Sequence, residues 1–403
     1  MLLLYELETT SMKNCLLLLV LLFSTALPSQ ARINSLSDEA EISLITCDVH
    51  TEVYAMYGHS AIRVRDVSKN MDIVFNYGLF SFSEPHFIYR FAKGKTDYLL
   101  GAQNYAAFLR SYQHSKRSLS EQKLNLTSFE KESLFSFLIW NVQPQNATYR
   151  YNFFYDNCAT RIRDAVEKCI DGEIIYGKRI GDLKTFRQLV DHYQEVAPWT
   201  NFGIHLLLGS PADIEADTHE QMFLPPYLEA QYAQTKVKRN DKVSDLCQPA
   251  RVIYQAPEPE SQCKVWLYSP SLVMALLLLC YILLTCKQWK SGNIKYHFDY
   301  VWLILNGIIG IILTWFFFFS ELPAMKDNYN LLWAFAFNLP FAFAWMKESW
   351  RSKMQFYWFI PSIMSVGFLL SAAFLPQSFP LPIYLFVMCS AVRSLFILYK
   401  IRN

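Results

Sequence analysis

The sequence predicts an α+β domain followed by an all-α membrane domain of about five transmembrane helices. Three observations carry that expectation: the composition changes near residue 270, apolar and polar residues alternate before it, and long apolar runs follow it. Of the 403 residues, 52% are hydrophobic and only 18% are charged, an apolar balance unusual for a water-soluble chain. The formal net charge of +2 and the lack of a basic stripe in the first half exclude nucleic acid as a partner.

Lys13 precedes the apolar run Leu16 to Phe23, and Ala26 to Ala31 end in small residues of the kind signal peptidases cut. Residues 1–31 therefore read as a signal peptide, with Met12 as an alternative start, and the domain that follows is expected to be exported. In that domain, taken as residues 38–235, Glu41 to Val49, Ser60 to Asp66 and Asp72 to Tyr77 have the β-branched, alternating character of antiparallel strands. Helices are expected at Tyr105 to Gln113, at Phe129 to Asn141 behind an N-cap at Thr127, and at Cys158 to Ile170. Residues 236–270 are polar and interrupted by Pro249, Pro257 and Pro259, as in a linker.

In residues 271–403, apolar spans are expected at Ser271 to Cys286, Val301 to Ser320, Leu331 to Trp345, Phe356 to Phe374 and Leu381 to Tyr399. Positive charge gathers in alternate loops. Lys287, Lys290 and Lys295 follow the first span, Lys347, Arg351 and Lys353 follow the third, and Lys400 and Arg402 follow the last. Since such loops stay cytoplasmic, an odd number of spans puts the first domain outside, in agreement with a signal peptide. A multi-pass protein of a bacterial inner membrane with a periplasmic catalytic domain is the expectation.

The nine cysteines show no zinc or redox spacing, so no metal and no cofactor is expected. Cys247 and Cys263 can close a short loop as a disulfide or persist as thiols. Cys158 is more informative. In Tyr155-Asp156-Asn157-Cys158-Ala159-Thr160-Arg161, two good N-cap residues precede a cysteine that opens a helix. The helix dipole there favours a thiolate, Arg161 and Arg163 add positive charge, and backbone N–H groups of Cys158 and its neighbours offer an oxyanion site. A small buried cysteine filling a helix start fits the same residues.

A thiol nucleophile needs a base. His59, in Tyr57-Gly58-His59-Ser60, stands at a strand entrance behind a glycine that permits close approach of another chain, although a structural histidine would look alike. A third polar group would orient the imidazole, and the following strand offers Asp72 and Asn76, of which Asn76 is preferred. The aromatics Tyr149, Tyr151, Phe153, Phe154 and Tyr155 can line an acyl-chain groove or pack as core.

Four blocks resemble the DUF4105 (Lnb) proteins of Bacteroidetes, a family of lipoprotein N-acyltransferases: Tyr57 to Val64, Phe75 to Phe80, Glu121 to Thr127 and Tyr151 to Asp164. More distantly, a histidine that precedes a helix-start cysteine is similar to the permuted NlpC/P60 (papain-like) and lecithin:retinol acyltransferase-like enzymes. Asp48-Val49-His50 departs from the family, whose relatives carry a Pro-Gly type turn there. The resemblance implies Cys158 as nucleophile, His59 as base, a phospholipid acyl donor and a diacylglyceryl lipoprotein acceptor. Two alternatives accompany it. One is a cell-envelope cysteine hydrolase with the same dyad; the other is a non-enzymatic transport or receptor component working through intramembrane Asn306, Asn338 and Arg393.

Overall fold

The computed structural model describes residues 35–50, 52, 55–80, 85–257 and 268–402. The signal-peptide reading of residues 1–31 lies outside them, as does Cys263. Strand propensity in the first part is realised as a seven-stranded sheet, order β10-β5-β1-β2-β3-β4-β6, with every pairing antiparallel. Its strands are β1 (Glu41–Cys47), β2 (His59–Asp66), β3 (Met71–Leu79), β4 (Asp97–Asn104), β5 (Leu119–Lys123), β6 (Thr148–Arg150) and β10 (Arg251–Tyr254). A second sheet joins β7 (Glu173–Ile175), β8 (Lys236–Arg239) and β9 (Lys242–Asp245). The stretch read as a linker therefore supplies three strands. Cys247 beside them is a free, buried thiol whose S–H donates to the Tyr232 carbonyl.

Seven helices accompany these strands among the described residues: α1 (Phe87–Lys93), α2 (Tyr105–His114), α3 (Ser128–Asn141), α4 (Cys158–Cys169), α5 (Phe186–Tyr193), α6 (Pro198–Leu207) and α7 (Pro225–Tyr232). Their ends follow local chemistry. Thr127 Oγ1 accepts the Glu130 N–H at 3.2 Å while Glu130 Oε2 accepts the Thr127 N–H at 2.7 Å, a reciprocal cap that starts α3 one residue before the expected place. Apolar Ala159, Ile162, Ala165 and Val166 recur on one face of α4 and are buried. That face packs on β2 and β3, where Ile62, Val64 and Phe75 share one side and are fully buried. Burying a side chain of this size stabilises by about 1.5–3 kcal/mol.

The second part contains α8 (Pro270–Ser291), α9 (His297–Phe319), α10 (Asn338–Met346), α11 (Glu348–Met354), α12 (Phe359–Ser371) and α13 (Leu381–Arg402). Among the described residues, four helical stretches are long and apolar enough to cross a membrane: 270–291, 297–319, 348–374 and 381–402. The third runs through α11, a tight turn and α12.

The span expected at Leu331 to Trp345 is the exception. It runs along α9 as a short turn, Tyr329–Leu332, an irregular stretch and the nine-residue α10. Pro340 in the first turn of α10 prevents the helix from extending backwards. Asn306 of α9 repairs the broken backbone: its Nδ2 donates to the Trp333 carbonyl at 3.2 Å, and its Oδ1 accepts from the Phe335 N–H at 3.1 Å and from Asn338 Nδ2 at 2.7 Å. Irregular backbone at such depth survives only when protein satisfies it.

Arg393 is buried and makes a bidentate pair with Asp299, 2.7 Å at each contact, and it also donates to Thr285 Oγ1 and Gln288 Oε1 at 3.0 and 3.2 Å. Asn306, Asn338 and Arg393 thus all have structural partners.

Candidate active site

The start of α4 and the start of β2 meet because α4 lies across β2 and β3 with its first residue toward the end of β2 that begins at His59. Cys158 is the first residue of α4. Asn157 caps the helix by accepting from the Ala159 and Thr160 N–H groups at 2.8 and 3.0 Å, and its amide donates to the carbonyls of Phe153 and Phe223 at 2.7 and 2.8 Å. The oxyanion donors expected at the helix start are therefore fewer than the sequence suggested, and the Cys158 N–H is the one left.

His59 shares its two ring nitrogens between Cys158 and Asn76. Its Nε2 lies 2.5 Å from Asn76 Oδ1, which makes Nε2 the protonated nitrogen and turns Nδ1 toward the sulfur. Asn76 is buried on β3. Asp72, the other candidate for this role, belongs elsewhere: it holds Arg63 through two contacts of 2.7 Å.

Burial penalises the charged form of Cys158, yet the His59 charge, the hydrogen bond from that ring, and the Ser60 and Ala159 N–H groups outweigh it and lower the thiol pKa. For His59 burial acts downward, and the thiolate together with the Cys158 and Asn76 hydrogen bonds prevails and raises the pKa. The two shifts describe one coupled pair, in which each partner favours the charged form of the other. Both residues are of intermediate burial.

Arg161 and Arg163 do not supplement this field as expected. Arg161 is spent on Asp156, with Nη2 at 2.6 Å from Oδ2, and its guanidinium lies 4.3 Å from the Tyr149 ring centre. Arg163 donates to Asp164 at 2.8 Å and to the His219 carbonyl at 2.9 Å.

Two residues shape the pocket in ways sequence reasoning did not foresee: it gave Gly78 no role and Tyr149 only a place in a candidate acyl-chain groove. Gly78 has φ +90°, and a Cβ placed on it would lie 3.8 Å from Cys158 Cβ, 3.8 Å from His59 Cε1 and 3.9 Å from the Tyr149 hydroxyl. It forms the floor on which the three converge, and its strained sign of φ admits glycine best. The second is Tyr149. Its buried hydroxyl has no hydrogen-bond partner among the described residues, and burial followed by the Cys158 charge raises its pKa. An unpartnered phenol near a reactive cysteine has no sequence signature beyond its place in an aromatic run.

The rest of that run divides. Burial, followed by the Cys158 charge, raises the Tyr151 pKa, Phe154 joins an apolar cluster with Phe186 and Phe223, and Tyr155 is exposed. Gly58, expected to permit close approach, does so: a Cβ there would stand 2.8 Å from the Cys47 carbonyl.

Asp164, Glu167 and His219 bring ligand atoms within 4.8 Å of one another. Protein groups already occupy these donors, since His219 Nε2 lies 3.0 Å from Glu167 Oε1, the Tyr176 hydroxyl donates to Glu167, and Arg163 holds Asp164.

Two family models match the chain: the Lnb N-terminal periplasmic domain over residues 30–192 and the Lnb transmembrane domain over residues 262–403. The chain belongs to the Lnb family. Together the two matches span about three quarters of the sequence, and they meet the two parts in the order the composition suggested. No curated protein and no solved structure matches. As an Lnb-family member the chain is a membrane protein whose N-terminal domain is periplasmic, and both Cys158 and His59 fall within that domain.

Proposed function

We propose that this Lnb-family protein is a lipoprotein N-acyltransferase of the inner membrane, using Cys158 as nucleophile, His59 as acid and base, and Asn76 to orient the imidazole. The observation that carries the reading is Cys158 at the capped start of α4, its thiol pKa lowered by an imidazole that Asn76 holds from behind. A permuted NlpC/P60-like arrangement suits the periplasmic domain, in which the histidine strand precedes the cysteine helix and the helix packs on an antiparallel sheet.

In the first half-reaction the Cys158 sulfur attacks the carbonyl carbon of a phospholipid ester, and the tetrahedral oxyanion is met by the Cys158 N–H and the Tyr149 hydroxyl. As the C–O bond breaks, the lysophospholipid oxygen takes the proton of the His59 imidazolium. The second half reverses these roles. The neutral amine of a diacylglyceryl-cysteine lipoprotein attacks the thioester, His59 accepts its proton, and Cys158 departs as thiolate, leaving an amide. Both substrates reside in bilayers, so fastening the site to membrane helices raises their effective concentration.

The test is mass spectrometry of the full-length protein incubated with phospholipid and no acceptor, followed by addition of a diacylglyceryl lipopeptide. An acyl adduct on Cys158 that is consumed as N-acylated lipopeptide appears is the expected result. Release of free fatty acid alone would instead make the protein a hydrolase, and full transfer by Cys158→Ser would remove the cysteine mechanism.

A further inference from the structure

The periplasmic domain carries an apolar element that its own core does not use. α1 exposes Ile88 at 82%, Tyr89 at 53% and Phe91 at 46%. This short helix is nevertheless fastened to the membrane domain. The Ala92 carbonyl accepts from Ser320 Oγ at 2.8 Å, the Lys93 carbonyl accepts from the Glu321 N–H at 2.9 Å, and the Tyr89 ring centre lies 5.8 Å from that of Trp315. α1 is thereby held level with the last turn of α9, where Phe318 and Phe319 are exposed on the outside of the helix bundle.

An apolar face continuous with the lipid-facing end of a transmembrane helix has one natural occupant, the bilayer itself. The flanking residues agree. Tyr89 and Trp315 are the amphipathic rings that concentrate at the membrane boundary, and Lys93, 5.9 Å from the Tyr89 ring centre, and Lys95, paired with Glu321 at 2.9 Å, extend cationic ends beside them.

From α1 a series of rings leads to the dyad. Phe87 stacks on Phe80 at 5.5 Å, Phe80 meets Tyr98 at 4.9 Å, and Tyr98 meets Tyr151 at 4.2 Å and Tyr149 at 6.5 Å. Tyr149 in turn faces Gly78 and Cys158. We infer that α1 lies in the periplasmic leaflet of the membrane and that this immersion, passed on through the packed rings, holds Cys158 within reach of a phospholipid ester. The immersion of α1 stands on its own; the reach to the ester rests on the acyl-transfer reading given above.

Two measurements on the full-length protein in vesicles of phosphatidylethanolamine and phosphatidylglycerol test this. With photoreactive benzoylphenylalanine in place of Ile88, irradiation is expected to crosslink phospholipid. The same group in place of Val67, exposed in the turn at the far end of β2 and roughly 25 Å along that strand from His59, is expected not to.

In the second measurement, Ile88→Glu with Phe91→Glu is expected to lower acyl transfer from vesicle phospholipid about tenfold or more, because it places charge in the leaflet. Alkylation of Cys158 by iodoacetamide should stay within about twofold of the parent, showing an intact site, and Ile88→Leu with Phe91→Leu should keep the transfer rate. Equal crosslinking at positions 88 and 67, or undiminished transfer by the glutamate pair, overturns the inference. Loss of the acyl-transfer reading shows differently, as no transfer by the parent protein itself, and position 88 would still crosslink lipid in that case.

Discussion

The smallest unit that matters is the pair of Cys158 and His59, whose opposed pKa shifts give a definite pH dependence. A thiol with a lowered pKa is deprotonated at any pH above that value, so its reactivity persists below the range of an ordinary cysteine and fades as pH falls through the shifted value. Alkylation of Cys158 followed against pH should therefore begin at lower pH than that of a model thiol. In His59→Ala the onset should move upward, since the largest stabiliser of the thiolate is gone. Acyl transfer by the same variant is expected to fall about 10²–10⁴-fold through loss of the acid and base. Tyr149→Phe removes a hydroxyl that satisfies nothing in the resting site, so the fold should hold while kcat drops about 10²–10³-fold, as for an oxyanion donor.

At the scale of elements, each half of the chain depends on polar groups that close its weak points. Asn157 alone ties the start of α4 to two carbonyls and two N–H groups, more than an ordinary cap, so Asn157→Ala should cost at least the usual ~1 kcal/mol and displace Cys158 as well. Reduced thermal stability together with slower Cys158 alkylation would register both effects. In the membrane helices Arg393 on α13 pairs with Asp299 on α9. Arg393→Met leaves the carboxylate buried without its partner, a loss of about 3–5 kcal/mol, and the double variant with Asp299→Leu should recover most of it. Thermal unfolding in detergent distinguishes the two, and equal stability of the single and double variants would count against the pairing.

For the whole molecule, the decisive feature is that the periplasmic domain is bonded to the loops between the membrane helices. Asn328 donates to the carbonyls of Leu206 and Leu207 at 2.7 and 3.1 Å, Gln377 to that of Leu208 at 3.2 Å, and the Gly209 N–H to that of Ala324 at 2.8 Å. Such contacts fix the height of Cys158 above the bilayer. The basic residues occupy the opposite end, where Arg351 reaches the Tyr300 hydroxyl at 2.9 Å and Lys400 lies 5.6 Å from the Trp289 ring centre. A membrane-impermeant amine reagent applied to spheroplasts should thus leave Lys290 and Lys353 unmodified and modify them once the membrane is opened. Modification of either in intact spheroplasts would reverse the orientation.

The sequence by itself determined the division into a mixed domain and apolar spans, because hydrophobic periodicity and charge asymmetry are local quantities. The helix start at Cys158 and the strand start at His59 were legible for the same reason: cap residues and alternation act within a few positions. Choosing Asn76 over Asp72 needed the structure, since both lie on the same face of one strand and only the position of Arg63 shows that Asp72 is already engaged. The oxyanion donors were overcounted because the capping power of Asn157 and the freedom of the N–H groups are read from the same residues. Tertiary structure also decided the broken helix after Leu331, which survives through an asparagine on another helix, and the burial of Arg393, which depends on a carboxylate 94 residues away. Tyr149 and α1 gained meaning in the same way. Their chemistry lies in what they face, and facing is a long-range property that no window of sequence contains.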